Sequence, residues 1–481
     1  MIAALLLLAT TVSVDFNTEN GRIRPELHSS SFGAMICSCP PEQIAAVKSM
    51  GFSASRTHDW AIVNANERVC DYFHIFPLMH LDAKDPKNYV FGPTDYLLKR
   101  TREELGHKIF YRLGTSIEHS GTKVHFNALI PEDFDKMAEI FAATIRHYNR
   151  GWANGFNWGI KYWKIWTEPD GHNTLWCLPD GDGEYGSTAP AQQADVRARD
   201  KRRFDLFAKF FVTCIKRIKS EFPEVKVGGP GLVKMRPAYL GNLLAACKEA
   251  GVAPDFISWH HYVNDPKIIM DAIDTGRKLC DSYGFTDCEL IISEWHFMGY
   301  GFKMLRSTDP EVVRKVWFGP ASHNGIDSSC FNLTMLAKFQ TSKLDQAYYY
   351  GCRHTSNWGY MDELKRKYKI YYGMRMFGDF VKDHQRICAS ASDTDGITVF
   401  AAKSEDGARR SVLVVDYRAG TREIAVDVKG VAPDCPVRAW LHDFTHDCEP
   451  VPARLAGGRL VLEKPDANSA AFLVTFTGNQ N

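Results

Sequence analysis

Between about residue 50 and residue 360, short apolar runs alternate with longer stretches of helical period. The runs are 52–57 (FSASRT), 72–79 (YFHIFPLM), 108–113 (KIFYRL), 162–167 (YWKIWT), 226–229 (KVGG), 256–260 (FISWH), 290–294 (LIISE) and 347–353 (AYYYGCR). Rich in aromatic and aliphatic residues and four to eight residues long, they read as strands. Amphipathic segments at 131–148, 202–221, 239–250 and 266–283 fall between them. This alternation predicts βαβ units and a parallel sheet. Eight strands over about 300 residues suit an α/β fold closed as a (β/α)8 TIM barrel. An open doubly wound sheet is the rival. It normally carries a glycine-rich phosphate turn after its first strand, where this chain has Arg56-Thr57-His58-Asp59.

Past residue 380 the texture changes to short β runs at 397–402, 410–417, 423–428, 437–442, 459–462 and 470–477. Turn signals such as Glu405-Asp406-Gly407 and Gly457-Gly458 separate them. That pattern predicts a C-terminal antiparallel β-sandwich of about 100 residues. The expected division is 1–28 for N-terminal strands that join the sandwich, 29–378 for the barrel and 379–481 for the sandwich. The start, MIAALLLLATT, reads equally as a weak signal-peptide core or as a buried first strand, because residues 10–16 alternate. The first reading implies a periplasmic or secreted protein, the second a cytoplasmic one.

Composition then removes function classes. The 481 residues are 45% hydrophobic and 24% charged, near globular averages, which excludes wholesale disorder. Lysine and arginine total 58 against 57 acidic residues, a net charge of +1 with no basic run. Nucleic-acid binding through general electrostatics is therefore not expected. No apolar stretch reaches the roughly 18 residues of a membrane span. The thirteen cysteines are odd in number, and many lie in apolar runs where a thiol behaves as a small hydrophobe. Cys37 and Cys39 lack a second Cys or His pair at ligand spacing, so no metal is expected. Nothing in the pattern fixes an oligomeric state.

In a barrel, chemistry sits at the C-terminal ends of the strands. Reading those ends gives His58, Asp59, His80, Asp82, Glu118, Glu168, His260, His261, Glu294 and Trp358. Glu168 closes an aromatic strand and precedes a proline; Glu294 closes an aliphatic strand and precedes Trp295. A carboxylate ending such a run is costly to desolvate, so it is paired or functional. Either glutamate alone is as well explained by an ion pair. On the fourth and seventh strands together they are far more specific. His260 and His261 are adjacent, so their rings face opposite sides of a strand, poor geometry for one metal. Gly228-Gly229-Pro230-Gly231 lacks the spacing and lysine of a phosphate loop, and no Gly-x-Ser-x-Gly elbow occurs.

Trp166-Thr167-Glu168-Pro169-Asp170-Gly171, the run from Asp255 to Tyr262, and Ile292-Ser293-Glu294-Trp295 resemble the (β/α)8 retaining glycoside hydrolases. More closely they resemble glycoside hydrolase family 39, the β-xylosidase and α-L-iduronidase group. Arg56-Thr57-His58-Asp59 resembles that family's opening barrel motif. The resemblance implies a barrel with a β-sandwich, no cofactor, an oligosaccharide or glycan substrate, Glu168 as acid/base and Glu294 as nucleophile. It further implies that Tyr262, or His261, orients the nucleophile. His58, Asp59, His80, His119, His260, Trp295 and Trp358 are candidate walls of the first sugar subsite. One position departs: the clan usually has Asn before the acid/base glutamate, meeting the sugar 2-hydroxyl, and here Thr167 stands there. β-Xyloside is the first expectation. An α-L-iduronidase-like activity would need cations, and Arg56, Arg112, Lys161 and Lys164 are not obviously placed for it. β-Galactosidase, α-L-arabinopyranosidase and a non-catalytic carbohydrate-binding barrel remain as alternatives.

Overall fold

The computed structural model describes residues 10–31, 41–60, 68–116, 129–171, 175–178, 190–305, 307–355, 358–362 and 364–477. Eight parallel strands close into a barrel: Ser29–Ser31, Ala54–Arg56, Lys108–Leu113, Tyr162–Ile165, Lys226–Leu232, Phe256–Val263, Glu289–Phe297 and Gln346–Tyr350. The last pairs with the first, Ser30 opposite Tyr349, so no edge is left open. Strand alternation sorts the side chains. In the fourth strand Trp163 and Ile165 join the apolar layer under the helices, while Tyr162 packs into the barrel interior. Each such buried large side chain contributes about 2–3 kcal/mol.

The interior is built in layers. Ala54, Phe110, Tyr162, Phe256, Ile291 and Tyr348 form an apolar floor, with the Phe110 and Tyr348 rings 4.8 Å apart. Two residues further along the second, third and fourth strands come Arg56, Arg112 and Lys164, all fully buried. Because the side-chain period of a strand is two, these three cations form the next layer above the floor. The helices outside obey ordinary end rules. Pro266–Tyr283 starts with Asp265 capping the Lys267 N–H and ends at Gly284 in the left-handed region.

Two strand expectations are corrected. The first barrel strand is Ser29–Ser31, three serines with no hydrophobic signal. Their hydroxyls serve instead: Ser30 Oγ lies 3.2 Å from Ser55 Oγ, and Ser31 Oγ accepts from Arg56 at 3.1 Å. The run at 72–79 is not a strand but a helical turn, Tyr72–Ile75, followed by loop. Pro77 has no N–H for a ladder, and Ile75 and Phe76 are apolar because they pack into the helical layer. One strand missed and one too many leave Glu168 after the fourth strand and Glu294 on the seventh, as expected.

Outside the barrel, ten strands form one mixed, curled sheet. Thr10–Arg22 sits inside it, antiparallel to Arg386–Ser392 and parallel to Glu423–Lys429. The curl brings Phe16 within 5.3 Å of Phe476, four strands away, around a shared apolar core. Within this domain Lys464 and Asp416 form a fully buried ion pair at 2.6 Å; Asp416 also accepts from Ala419 N–H and from the Thr421 hydroxyl. Helices Ile326–Gln340 and Lys369–Asp383 lie between barrel and sheet. Phe380 meets Phe400 at 5.4 Å, and Asp327 accepts from Arg418 Nε at 2.8 Å and Ser469 Oγ at 2.7 Å. Among the described residues no helix is long and apolar enough to cross a membrane.

Candidate active site

Above the cationic layer, at the C-terminal mouth, the fourth and seventh strands bring Glu168 and Glu294 together. Glu168 follows a backbone held in the left-handed region, with φ of 63° at Trp166 and 45° at Glu168 itself. Non-glycine residues there carry strain of about 1–3 kcal/mol, which clusters at functional sites. The Glu168 N–H donates to Gly231 O at 2.8 Å, which pins the turn to the fifth strand. Glu294 comes from the seventh strand just past an irregularity in its ladders, where Trp259 pairs with Ile292 but His260 pairs with Glu294.

The two carboxylates have unlike surroundings. Glu294 Oε1 accepts from Arg56 Nη1 at 2.7 Å and lies 3.3 Å from His58 Nε2. Its Oε2 accepts from the Tyr262 hydroxyl at 2.6 Å. A buried guanidinium and a half-buried phenol thus hold and orient the two oxygens of Glu294. Glu168 has no cation in contact among the described residues. Its Oε1 lies 2.8 Å from His260 Nδ1. Burial, then the charge of Glu294, then Asp170 push its carboxyl up to about 8, against the pull of Lys164 and Arg56. His260 and His58 are held well below the usual imidazole range, first by burial and then by the cations beneath them. Both are neutral at pH 7. One carboxyl is kept protonated beside another that is tied to a guanidinium and a phenol, a division set by environment.

Carboxylate oxygens of Glu168 and Glu294 and one nitrogen of His260 lie within 4.8 Å of one another. Such a set also has the spacing of metal ligands. Here Arg56 already occupies Glu294 Oε1 and Lys164 lies beneath, so positive charge is built into the site.

Of the other expected residues, His58, Asp59, His260, Tyr262 and Trp358 gather around the pair. Asp59, with φ of 55°, accepts from the Tyr350 hydroxyl at 3.1 Å. Trp358 stands edge-on to Tyr262 and Tyr350, each at 5.7 Å. Glu168, Tyr262, Tyr350 and Trp358 are half-buried and form the rim, while Glu294 lies at the bottom. Tyr262, not His261, reaches Glu294; His261 faces the other side of the strand.

Three expectations are corrected by placement. Trp295 is one residue past Glu294, so it faces outward and packs edge-on against Phe339 and Tyr349 in the barrel–helix layer. Thr167 is fully buried below the pair, where its Oγ1 accepts from Arg56 Nη2 at 3.2 Å and Lys164 Nζ at 3.3 Å. His80 and Asp82 sit exposed on the loop after the 72–75 turn. Glu118, His119, Cys37 and Cys39 lie outside the described residues.

Sequence reasoning missed Tyr350, His296 and His323. The last two pack on Trp358, with ring centroids 5.1 and 4.6 Å away, and extend the aromatic wall. It also passed over Arg56 and Lys164 as site residues. A cavity of about 510 Å³ opens at the opposite, N-terminal mouth, lined by Lys108, Tyr162, Glu289 and Tyr348 among others. The apolar floor separates it from the glutamates.

No protein-family model matches the chain. A curated β-xylosidase of Caldicellulosiruptor saccharolyticus is 25% identical over 228 residues, 45% of this chain and 38% of that relative. The match therefore spans well under half of the relative's length. Among solved structures, a glucosidase from Croceicoccus marinus aligns over 98% of this chain and all of its own, with TM-score 0.73 and 19% identity. A monomeric β-xylosidase from Caulobacter crescentus covers the same shares at TM-score 0.61 and 14% identity. A GH51 α-L-arabinofuranosidase from Thermotoga petrophila aligns over 97% of this chain and all of its own, at TM-score 0.65 and 13% identity. At such identities the likeness is one of fold: the chain has the architecture of the barrel glycosidases that carry a β-sandwich domain.

Proposed function

We propose that the chain is a retaining exo-glycosidase acting on a terminal sugar, with β-xyloside as first choice, and that it is related to the family 39 enzymes. The observation that carries this reading is the Glu168–Glu294 pair itself. The carboxylates are close, with oxygens within 4.8 Å; Glu168 is held protonated, while Arg56 and Tyr262 donate to Glu294. A separation of about 5–5.5 Å between carboxyl groups belongs to double displacement, whereas inversion needs about 6.5–9.5 Å to admit a water.

In the first half-reaction Glu294 Oε2 or Oε1 attacks the anomeric carbon as the bond to the leaving oxygen breaks. Glu168 gives its proton to that oxygen. Tyr262 and Arg56, one on each oxygen, fix the orientation of the Glu294 carboxylate. Once Glu294 is esterified its negative charge is gone, and with it the second-largest influence holding Glu168 up. Glu168, now ionised, takes a proton from water; the water oxygen attacks the anomeric carbon and frees Glu294. The enzyme returns to its starting protonation, and no cofactor enters the cycle.

For an α-L-iduronidase-like substrate a cation would have to face the sugar carboxylate. Arg56 and Arg112 are instead buried and engaged, on Glu294 and Asp71 respectively. Thr167 is the feature that favours a non-catalytic carbohydrate-binding barrel, since its buried hydroxyl cannot replace an Asn amide at the sugar. A panel of activated aryl glycosides decides. Turnover by the wild type, none by Glu294→Ala, and azide rescue of Glu168→Ala are expected. Sugar binding without release of aglycone would instead establish the binding barrel.

A further inference from the structure

Lys164 lies under the glutamate pair, fully buried, and among the described residues it forms no ion pair. Its neighbours in the same layer are matched: Arg56 with Glu294, Arg112 with Asp71. The Lys164 ammonium donates instead to two hydroxyls, Thr167 Oγ1 at 3.3 Å and Ser293 Oγ at 3.2 Å. Those are the residues immediately before Glu168 and Glu294. One ammonium thus ties together the fourth and seventh strands at the points from which both carboxylates spring.

The room for it is made on the fifth strand. A Cβ on Gly231 would lie 2.1 Å from Lys164 Nζ and 3.3 Å from His260 Nε2, and Gly231 has φ of +71°. The carbonyl of the same glycine accepts the Glu168 N–H. Gly231 therefore houses the ammonium and fixes the Glu168 backbone at once.

A buried ammonium without a counter-ion costs several kcal/mol, and an apolar side chain of the same length would fill the space without that cost. Stability does not account for a lysine here. We propose that Lys164 is a positioning residue of the glutamate pair: through Thr167 and Ser293 it sets the carboxylate spacing and the surroundings in which Glu168 gives up its proton between the two half-reactions. This rests on the roles given above to Glu168 and Glu294. The charged or titratable groups that face Lys164 are Arg56, Arg112, His58, His260, Glu168 and Glu294. Burial and the two arginines draw its own proton affinity well below the usual lysine range, while Glu294 and Glu168 act the other way.

Lys164→Met keeps the apolar stem and removes the charge. Carbon-13 NMR of labelled glutamate follows Glu168 directly, its signal assigned by its loss in Glu168→Gln. Glu168 is expected to titrate about one pH unit higher in Lys164→Met than in the wild type, the scale of one nearby charge. The alkaline limb of kcat/KM moves the same way, and kcat falls at least about tenfold for a substrate whose second half-reaction is slow. An unchanged Glu168 titration overturns the proposal and leaves Lys164 a filler of the barrel. If Lys164→Met does not fold, Ser293→Ala removes one of the two ammonium contacts, and absence of any upward movement there overturns it equally. A wild type that hydrolyses no glycoside would sink the glycosidase reading, while the NMR titration would still decide the role of Lys164.

Discussion

Keeping Glu168 protonated inside the folded protein has a thermodynamic cost that grows with pH, and Glu168→Gln exposes it. In the unfolded chain the carboxyl titrates near 4.5; in the fold it is held up to about 8, first by burial and then by Glu294. Between those values the folded state binds a proton that the unfolded state has released, so stability falls as pH rises and levels off above about 8. That interval, at about 1.4 kcal/mol per pH unit, is worth at most about 5 kcal/mol, of which about 4 develops between pH 5 and pH 9. Glutamine carries no charge at any pH and is nearly the same size. Its altered hydrogen bond to His260 costs about 1 kcal/mol at every pH. The expected result is that variant and wild type unfold within about 1 kcal/mol of each other near pH 5. Near pH 9 the variant is the more stable by about 2–4 kcal/mol. Denaturant unfolding at the two pH values, with unchanged slope m, measures this directly. A stability difference that does not change with pH would mean that Glu168 is ionised throughout, and the assignment of a protonated acid would fall.

Three further outcomes follow from the geometry. Tyr262→Phe removes the 2.6 Å hydrogen bond to Glu294 but leaves the ring against Tyr350 and Trp358; kcat/KM should fall about 100-fold with stability kept within about 1 kcal/mol. Equal losses of activity and of melting temperature would contradict that. The wild-type pH–rate profile should lose activity as pH rises through about 8, where Glu168 gives up its proton; an alkaline limb near pH 5 would argue against Glu168 as the acid. Asp416→Ala strands the buried Lys464 ammonium and should destabilise by about 3–5 kcal/mol in denaturant titrations; a change under about 1 kcal/mol would mean the pair is hydrated.

Much of this arrangement is legible in the chain, for definable reasons. A strand facing helices outside and a filled interior within needs apolar residues on both sides, and runs such as 108–113 and 290–294 show that density. The glutamates stand out because a carboxylate ends such a run. Ser29–Ser31 is invisible because its inward residues meet polar partners, and hydrophobic pattern is blind to hydrogen bonding. Tyr72–Met79 misleads in the opposite sense, being apolar for the helical layer's sake. Arg56, Arg112 and Lys164 did leave a trace: each is a cation two residues beyond an interior residue of a strand. What they touch depends on where the closed barrel brings strands four and seven. Trp295 shows the same limit, since one step along a strand turns a side chain from site to core.

The strand Thr10–Arg22 leaves the ribosome ahead of the whole barrel, yet its neighbours in the sheet are Arg386–Ser392 and Glu423–Lys429. Translation at about 5–20 residues per second makes it wait on the order of 20–80 s for those partners, with Val12, Val14 and Phe16 uncovered and both ladder edges bare. All eight barrel strands, through Gln346–Tyr350, are made within that interval, an insertion within an unfinished sheet. Moving this strand to the far side of residue 477 by circular permutation would remove the delay, and nascent-chain yield rather than final stability is the quantity that would change.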